Sequence, residues 1–338
     1  MRDHTILAAL LSNYFLPAGK FTHDTCNRSL DDCILTCLTN RKFRRTKIDH
    51  ESLQDASKKI AKAVRNEQPI SLSIPFGAYK NWKLPSFPFP DWAEVFSLSY
   101  LVSYVYPISQ IYSPGVVLTF TYTSSVMERV SNMPTESQVT YTQSLQHLID
   151  VLKRKIPKNI DIRLLDIRYL YRPNELEFEL QKNFEENQNT WPQKYPQEVR
   201  DKKYRSALNN MQLNGIEDLT ILSDDELSQR YLDAAMWCDA LDCLEKRRGY
   251  NKYGDAIQLV FVRGPKLSIH IGSCRSSSMH FWIGTGIIER RSNRFVERII
   301  SSQQFREYLD RGVLKEILVD RSISQGMPFL DKVFLIED

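Results

Sequence analysis

The sequence predicts an α/β fold: a mixed, mainly parallel sheet of β-α-β units carrying a helical inset. Three observations predict it. Ile70-Ser71-Leu72-Ser73-Ile74-Pro75 alternates strictly between apolar and polar residues, the period of a strand with one buried face. From there to Tyr122 the chain reads strand, loop, helix, turn, strand, a succession that sets two strands parallel. After a polar, helix-like stretch, strand-like runs return between Ile257 and Arg290.

Composition narrows the class. At 338 residues the chain fits one large domain or two unequal ones, and it is long enough to need no disulfide staples. A hydrophobic content of 42% with 25% charged residues excludes collagen-like and wholly disordered chains. The net charge of +4 is too thinly spread to be a nucleic-acid signature, so no specific nucleic-acid partner is expected. Cys26, Cys33, Cys37, Cys238, Cys243 and Cys274 show neither C-x-x-C nor paired Cys/His spacing. They are expected to be free thiols in a reducing compartment rather than zinc ligands. The apolar run Ile6–Leu11 is too short for a span or a signal peptide, and no later run approaches the ~18 residues a span needs. The expected location is the cytoplasm.

The elements follow in order. Residues 1–48 read as a helical lead-in ending in Arg41-Lys42-Phe43-Arg44-Arg45-Thr46-Lys47, which is either a solvated loop or a phosphate- or RNA-facing patch. Residues 49–171 form the first part of the α/β core. Asp49 caps a helix with Leu53, Ala56, Ile60, Ala63 and Val64 on one face. After the first strand, Phe76–Pro90 has no period, but its five aromatic residues argue for a packed loop lining the main pocket. Asp91-Trp92-Ala93-Glu94 is a capping box that opens a nearly all-apolar, buried helix. Ser113-Pro114-Gly115 turns into the strand Val116–Tyr122; a helix through Leu145, Leu148, Ile149 and Leu152 leads to a third strand over Ile160–Leu170. Residues 172–250 form a helical insertion or subdomain, in which the Asn- and Gln-rich run Glu185–Pro196 reads as a mobile connector. Residues 251–338 return to the core. There Ile257–Arg263 and Lys266–Gly272 read as strands, and Gly284-Thr285-Gly286 as a hairpin turn between Met279–Ile283 and Ile287–Arg290. A last short strand falls at Val333–Ile336.

No P-loop, no G-x-G-x-x-G after a strand, no H-E-x-x-H, no H-x-D pair and no G-x-S-x-G elbow is present. What remains is a lysine in an aromatic loop and a histidine ending a strand. Lys80, among Phe76, Tyr79 and Trp82, fits three roles: an amine nucleophile, an anion holder, or a stem covering ring surface. Alternation places Lys266, Ser268 and His270 on one strand face, either lining a site or facing solvent. Arg263 and Arg275 add charge nearby, and His280 is a weaker candidate.

In their order and spacing these pieces resemble the pyoverdine/dityrosine-biosynthesis family, which includes the amino-acid isocyanide (isonitrile) synthases. The residues carrying the resemblance are Ile74-Pro75-Phe76, Lys80-Asn81, Pro90-Asp91-Trp92-Ala93-Glu94, Tyr112-Ser113-Pro114-Gly115 and Lys266-Leu267-Ser268-Ile269-His270. This chain departs from the family where Thr123-Ser124-Ser125 carries no acid, where Lys266 replaces an arginine, and where His280-Phe281-Trp282 only echoes a Trp-His pair. The resemblance implies an enzyme that converts the amino group of an aromatic L-amino acid to an isonitrile, with ribulose 5-phosphate as carbon donor. It implies no metal or redox cofactor. Lys80 and His270 would be catalytic and would share one pocket; Arg263, Lys266, Ser268, Arg275 and Asn81 would hold substrate and phosphate; Phe76, Tyr79 and Trp82 would form the wall. A relative that has lost catalysis and only binds a ligand or a protein is the alternative.

Overall fold

The computed structural model describes residues 2–15, 29–214, 221–247, 256–261, 267–292 and 294–337. Among the described residues three helices lead in: α1 (Arg2–Asn13), α2 (Leu30–Leu38) and α3 (His50–Arg65). Asp49 caps α3 by accepting from the Ser52 amide at 2.7 Å, while Ala56 and Ile60 are buried on its inner face.

The core is a five-stranded sheet in the order β3-β2-β1-β4-β5, parallel throughout. Its strands are β1 (Ile70–Pro75), β2 (Val116–Tyr122), β3 (Ile160–Asp166), β4 (Ile257–Val260) and β5 (Ser268–His270). The crossovers between the first three are α4 (Trp92–Ile111) and the pair α5 (Ser124–Ser131) and α6 (Thr135–Lys153). β1 is central, pairing with β2 on one side and β4 on the other, so Ser73 is buried along with Leu72 and Ile74. Alternation predicts one buried face; a strand at the middle of a covered parallel sheet loses both to the interior. Gly115, at φ +76°, makes the turn into β2, where any Cβ would fall 1.8 Å from the Asn159 carbonyl oxygen.

Between β3 and β4 stand α7 (Glu175–Lys194), α8 (Gln197–Asn214) and α9 (Asp224–Arg247). Phe184, Trp191, Tyr231, Ala234 and Ala240 form an apolar cluster of their own there. The expected connector at Glu185–Pro196 is instead the second half of α7. Its buried Asn187 donates to the Met236 carbonyl at 3.2 Å, and Asn183 to the Ala240 carbonyl at 3.2 Å. The amides that made this segment look polar are satisfied inside the helix pair.

The α/β class holds, and among the described residues a second sheet, in the order β7-β6-β9-β8, adds mixed parallel and antiparallel pairing beside the parallel one. It contains β6 (Gly284–Arg291), β7 (Arg294–Ser301), β8 (Leu314–Leu318) and β9 (Lys332–Glu337), with α10 (Ser302–Asp310) between β7 and β8. Gly284-Thr285-Gly286 is no turn: it begins β6, Phe281–Ile283 is a single 3-10 turn, and the hairpin joins β6 to β7. The reason lies in tertiary contact. A Cβ at Gly286 would sit 2.2 Å from the Ala93 amide nitrogen, so this glycine lets the start of α4 rest directly on β6. No helix among the described residues is long and apolar enough to cross a membrane.

Candidate active site

The strand order reverses direction between β1 and β4: the chain steps outward from β1 to β2 and β3, then returns to build β4 and β5 on the other side. Open α/β sheets bind ligands outside the carboxyl ends of their strands at this point. Phe76 and Gly77 follow β1 there, and Phe261 follows β4. The 3-10 turn at Phe281–Ile283 lies across both. Trp282 packs edge-on against Phe76 at 5.2 Å between centroids, and its indole lies so close to Gly77 that a Cβ would fall 2.4 Å from Nε1. His280 stacks on Trp282 at 4.3 Å and 12°, and its ring meets Phe261 at 6.1 Å. Burial pushes the His280 imidazole down to about 4, so it is neutral near pH 7. Ala78, between Gly77 and Tyr79, holds φ at +58°, a strained backbone of the kind that gathers at functional sites.

Next to these rings the aromatic loop closes over a charge cluster. Lys80 has no exposed side-chain surface; its Nζ lies 2.9 Å from both Glu94 carboxylate oxygens and 3.2 Å from Asp91 Oδ2, and it donates to the Phe281 carbonyl at 3.2 Å. The capping box positions both acids: the Asp91 carboxylate accepts from the Ala93 amide at 2.7 Å, and Glu94 accepts from the Asp91 amide at 2.7 Å. Tyr141, from α6, donates to Glu94 at 2.7 Å, while Ser86 (2.9 Å), Thr285 (2.7 Å) and the Gly286 amide (3.1 Å) donate to Asp91. Burial pushes the Glu94 carboxyl up to about 7, with Lys80 pulling the other way. Burial likewise raises the Tyr141 and Tyr79 hydroxyls.

The other sequence candidates scatter around these two features. His270 ends β5 and donates from Nε2 to the Phe261 carbonyl at 2.9 Å; its Nδ1 is buried with no partner among the described residues. Lys80 and His270 therefore face different groups, linked through Phe281, which packs on Phe261 at 5.9 Å. Ser268 shares the strand with His270 and is partly buried. Asn81 is buried; its backbone amide donates to the Trp282 carbonyl at 2.9 Å, and its side-chain oxygen accepts from the Lys83 amide at 2.9 Å. Phe76 and Tyr79 are buried, whereas Trp82 is exposed beneath the Lys83 ammonium. Arg275 is a solvent-facing side chain, 75% exposed. Arg263 and Lys266 lie outside the described residues.

Sequence reasoning ranked His280 below His270 and overlooked Tyr141, Thr285 and Asp166. Asp166 ends β3 in register with Tyr122 and accepts from Ser124 at 2.9 Å. It therefore brings a buried carboxylate to the end of β2, where Thr123-Ser124-Ser125 lacks one. The far half of the aromatic loop lines a cavity of about 270 Å³: Pro85, Phe87 and Phe89 face Phe329 and Phe334 over a floor of Asp91 and Thr285.

No protein-family model matches the chain, and nothing among the curated proteins matches it. Among solved structures it is similar to PvcA from Pseudomonas aeruginosa, with a TM-score of 0.62 and 16% sequence identity over 91% of this chain and 100% of that one. The likeness is one of fold, and it extends along the full length of PvcA.

Proposed function

We propose that the chain forms an isonitrile on the amino group of an aromatic L-amino acid, drawing the carbon from ribulose 5-phosphate. One observation carries the reading. Lys80, Asp91 and Glu94, three residues of the motif resemblance, meet in a single buried assembly tied through the Phe281 carbonyl to the turn that packs on the residues following β1 and β4. The fold likeness to PvcA supports the same reading.

The first step is a condensation. The amine nitrogen bonds to the ketone carbon of the sugar phosphate and the carbonyl oxygen leaves as water, so amine and ketone give imine and water. The nitrogen must lose protons and the oxygen must gain them. The ammonium first gives one proton to solvent; as the neutral amine then bonds to carbon its two remaining protons leave with the oxygen as water, and His280, neutral and stacked on Trp282, is assigned to relay them. His270 is assigned as the second imidazole of the site. Arg263, Lys266, Ser268 and Arg275 are assigned to the phosphate and Asn81 to the substrate, with Phe76, Tyr79 and Trp82 as wall. Lys80 acts as a positioning residue: it holds Glu94, Asp91 and the Phe281 carbonyl, and through that carbonyl the turn bearing Trp282.

A second reading, a ligand-binding relative without turnover, is favoured by the full engagement of the Lys80 ammonium. The two separate in one experiment. Purified protein is incubated with L-tyrosine or L-tryptophan and ribulose 5-phosphate, and the isonitrile is sought by mass. Product from wild type, lost in His280→Phe at unchanged melting temperature, supports the synthase. Binding of ribulose 5-phosphate with no product from any aromatic amino acid selects the second reading.

A further inference from the structure

The basic stretch ahead of α3 is anchored at Phe43, Arg44 and Arg45, while Arg41, Lys42, Thr46 and Lys47 face solvent. Phe43 is buried and packs on Tyr100 and Tyr104 at 5.0 and 5.2 Å, and Arg44 bridges to Ile271. The Arg45 amide donates to the His270 carbonyl at 3.0 Å, and the Gly272 amide to the Phe43 carbonyl at 3.0 Å. The Arg45 guanidinium lies flat on Gly272, where a Cβ would meet it at 2.2 Å, and donates to the carbonyls of Cys274 (2.6 Å), Arg275 (3.0 Å) and Ser277 (3.3 Å) and to Ser278 Oγ (3.1 Å).

This scaffold fixes a cavity of about 580 Å³ lined by Thr39, Arg41, Arg44, Arg45, Thr46, Lys47, Ile48 and Leu53. Among the described residues four cations line it and no acid does. The nearest carboxylate in sequence, Asp49, is engaged by the amide and hydroxyl of Ser52. Arg44 Nε is buried with no partner among the described residues. Holding like charges together on a rigid frame costs free energy, which a bound anion recovers. Guanidinium forks match phosphate oxygens.

We propose that this cavity binds a soluble phosphorylated small molecule. Among the described residues it has no aromatic lining residue on which a base could stack, which sets it apart from a single-stranded nucleic-acid groove. The proposal is separate from the reaction above, because Arg41, Arg44 and Lys47 are not among the residues assigned there to the sugar phosphate.

The test is calorimetric titration of the full chain with inorganic pyrophosphate at an ionic strength of about 0.15 M. Wild type should bind saturably. Arg41→Gln/Arg44→Gln/Lys47→Gln should bind about tenfold more weakly or not at all, with its melting temperature held. The single variants Arg41→Gln and Lys47→Gln, both at exposed positions, should each weaken binding several-fold and serve if the triple variant does not fold. Absence of saturable binding by wild type, or undiminished affinity in the variants, overturns the proposal. So does tighter capture of a single-stranded RNA, or of vesicles carrying a phosphoinositide, than of pyrophosphate.

Discussion

Lys80 and Glu94 face each other at 2.9 Å with neither side chain reaching solvent. A lysine enclosed this way has little freedom to meet a ligand, but it neutralises a carboxylate that the capping box has committed to the interior. Sequence reasoning left Lys80 three roles and the resemblance made it catalytic; in the structure its contacts join α4, the aromatic loop and the Phe281–Ile283 turn.

Lys80→Met should therefore destabilise the protein by about 3–5 kcal/mol, because it strands a buried charge. Adding Glu94→Leu should recover part of that loss. Urea unfolding midpoints of the single and double variants measure both. A Lys80→Met protein as stable as wild type would show that the pair does not hold this region.

His280 makes stability pH-dependent. Its folded value near 4 lies below the ordinary 6.5, so between these limits the unfolded chain binds the proton and the folded chain does not. Its contribution is constant above about pH 6.5 and falls as pH drops toward 4, by about 1–2 kcal/mol after allowing for partial exposure. His280→Phe preserves the stack on Trp282 and should flatten that part of the profile. Unfolding midpoints at several pH values from about 4 to 7.5 report the difference.

Gly286→Ala should cost about 3 kcal/mol, since the new Cβ would run into backbone atoms of Trp92 and Ala93 that cannot rotate away. Gly312→Ala has open space around it and only a φ of +66° against it, so about 1 kcal/mol is expected. Thermal melts of the two variants give the comparison, and equal losses would contradict the close packing of α4 on β6.

Asn187→Ala should loosen α7 from α9 at a cost of about 1–2 kcal/mol, because the Met236 carbonyl that its amide meets would lose that donor. Faster limited proteolysis within 175–247, with the remainder resistant, is the expected result.

What was legible in the sequence was local. Asp91 and Glu94 announce their capping box three residues apart, and Ile70–Pro75 and Val116–Tyr122 carry strand signals that need no partner to be read. What was missed depends on distant contacts. Gly284-Thr285-Gly286 carries turn residues, yet Gly286 is small because Ala93 passes over it. Asn187 looks like a linker residue until the Met236 carbonyl of α9 is set beside it. In the candidate site, Lys80 was visible as a lysine among rings, but not its pairing with an acid already assigned to a helix cap. His280 ranked low because only the folded chain lays it on Trp282 above the ends of β1 and β4.

The central claim is that the amine of an aromatic amino acid takes its new carbon from the ketone of ribulose 5-phosphate. The most direct measurement supplies wild-type protein with L-tyrosine and ribulose 5-phosphate bearing carbon-13 at the ketone carbon alone, and records the product by mass spectrometry. The account predicts an isonitrile heavier by that single label. An unlabelled isonitrile, or no isonitrile from any aromatic amino acid, would contradict it.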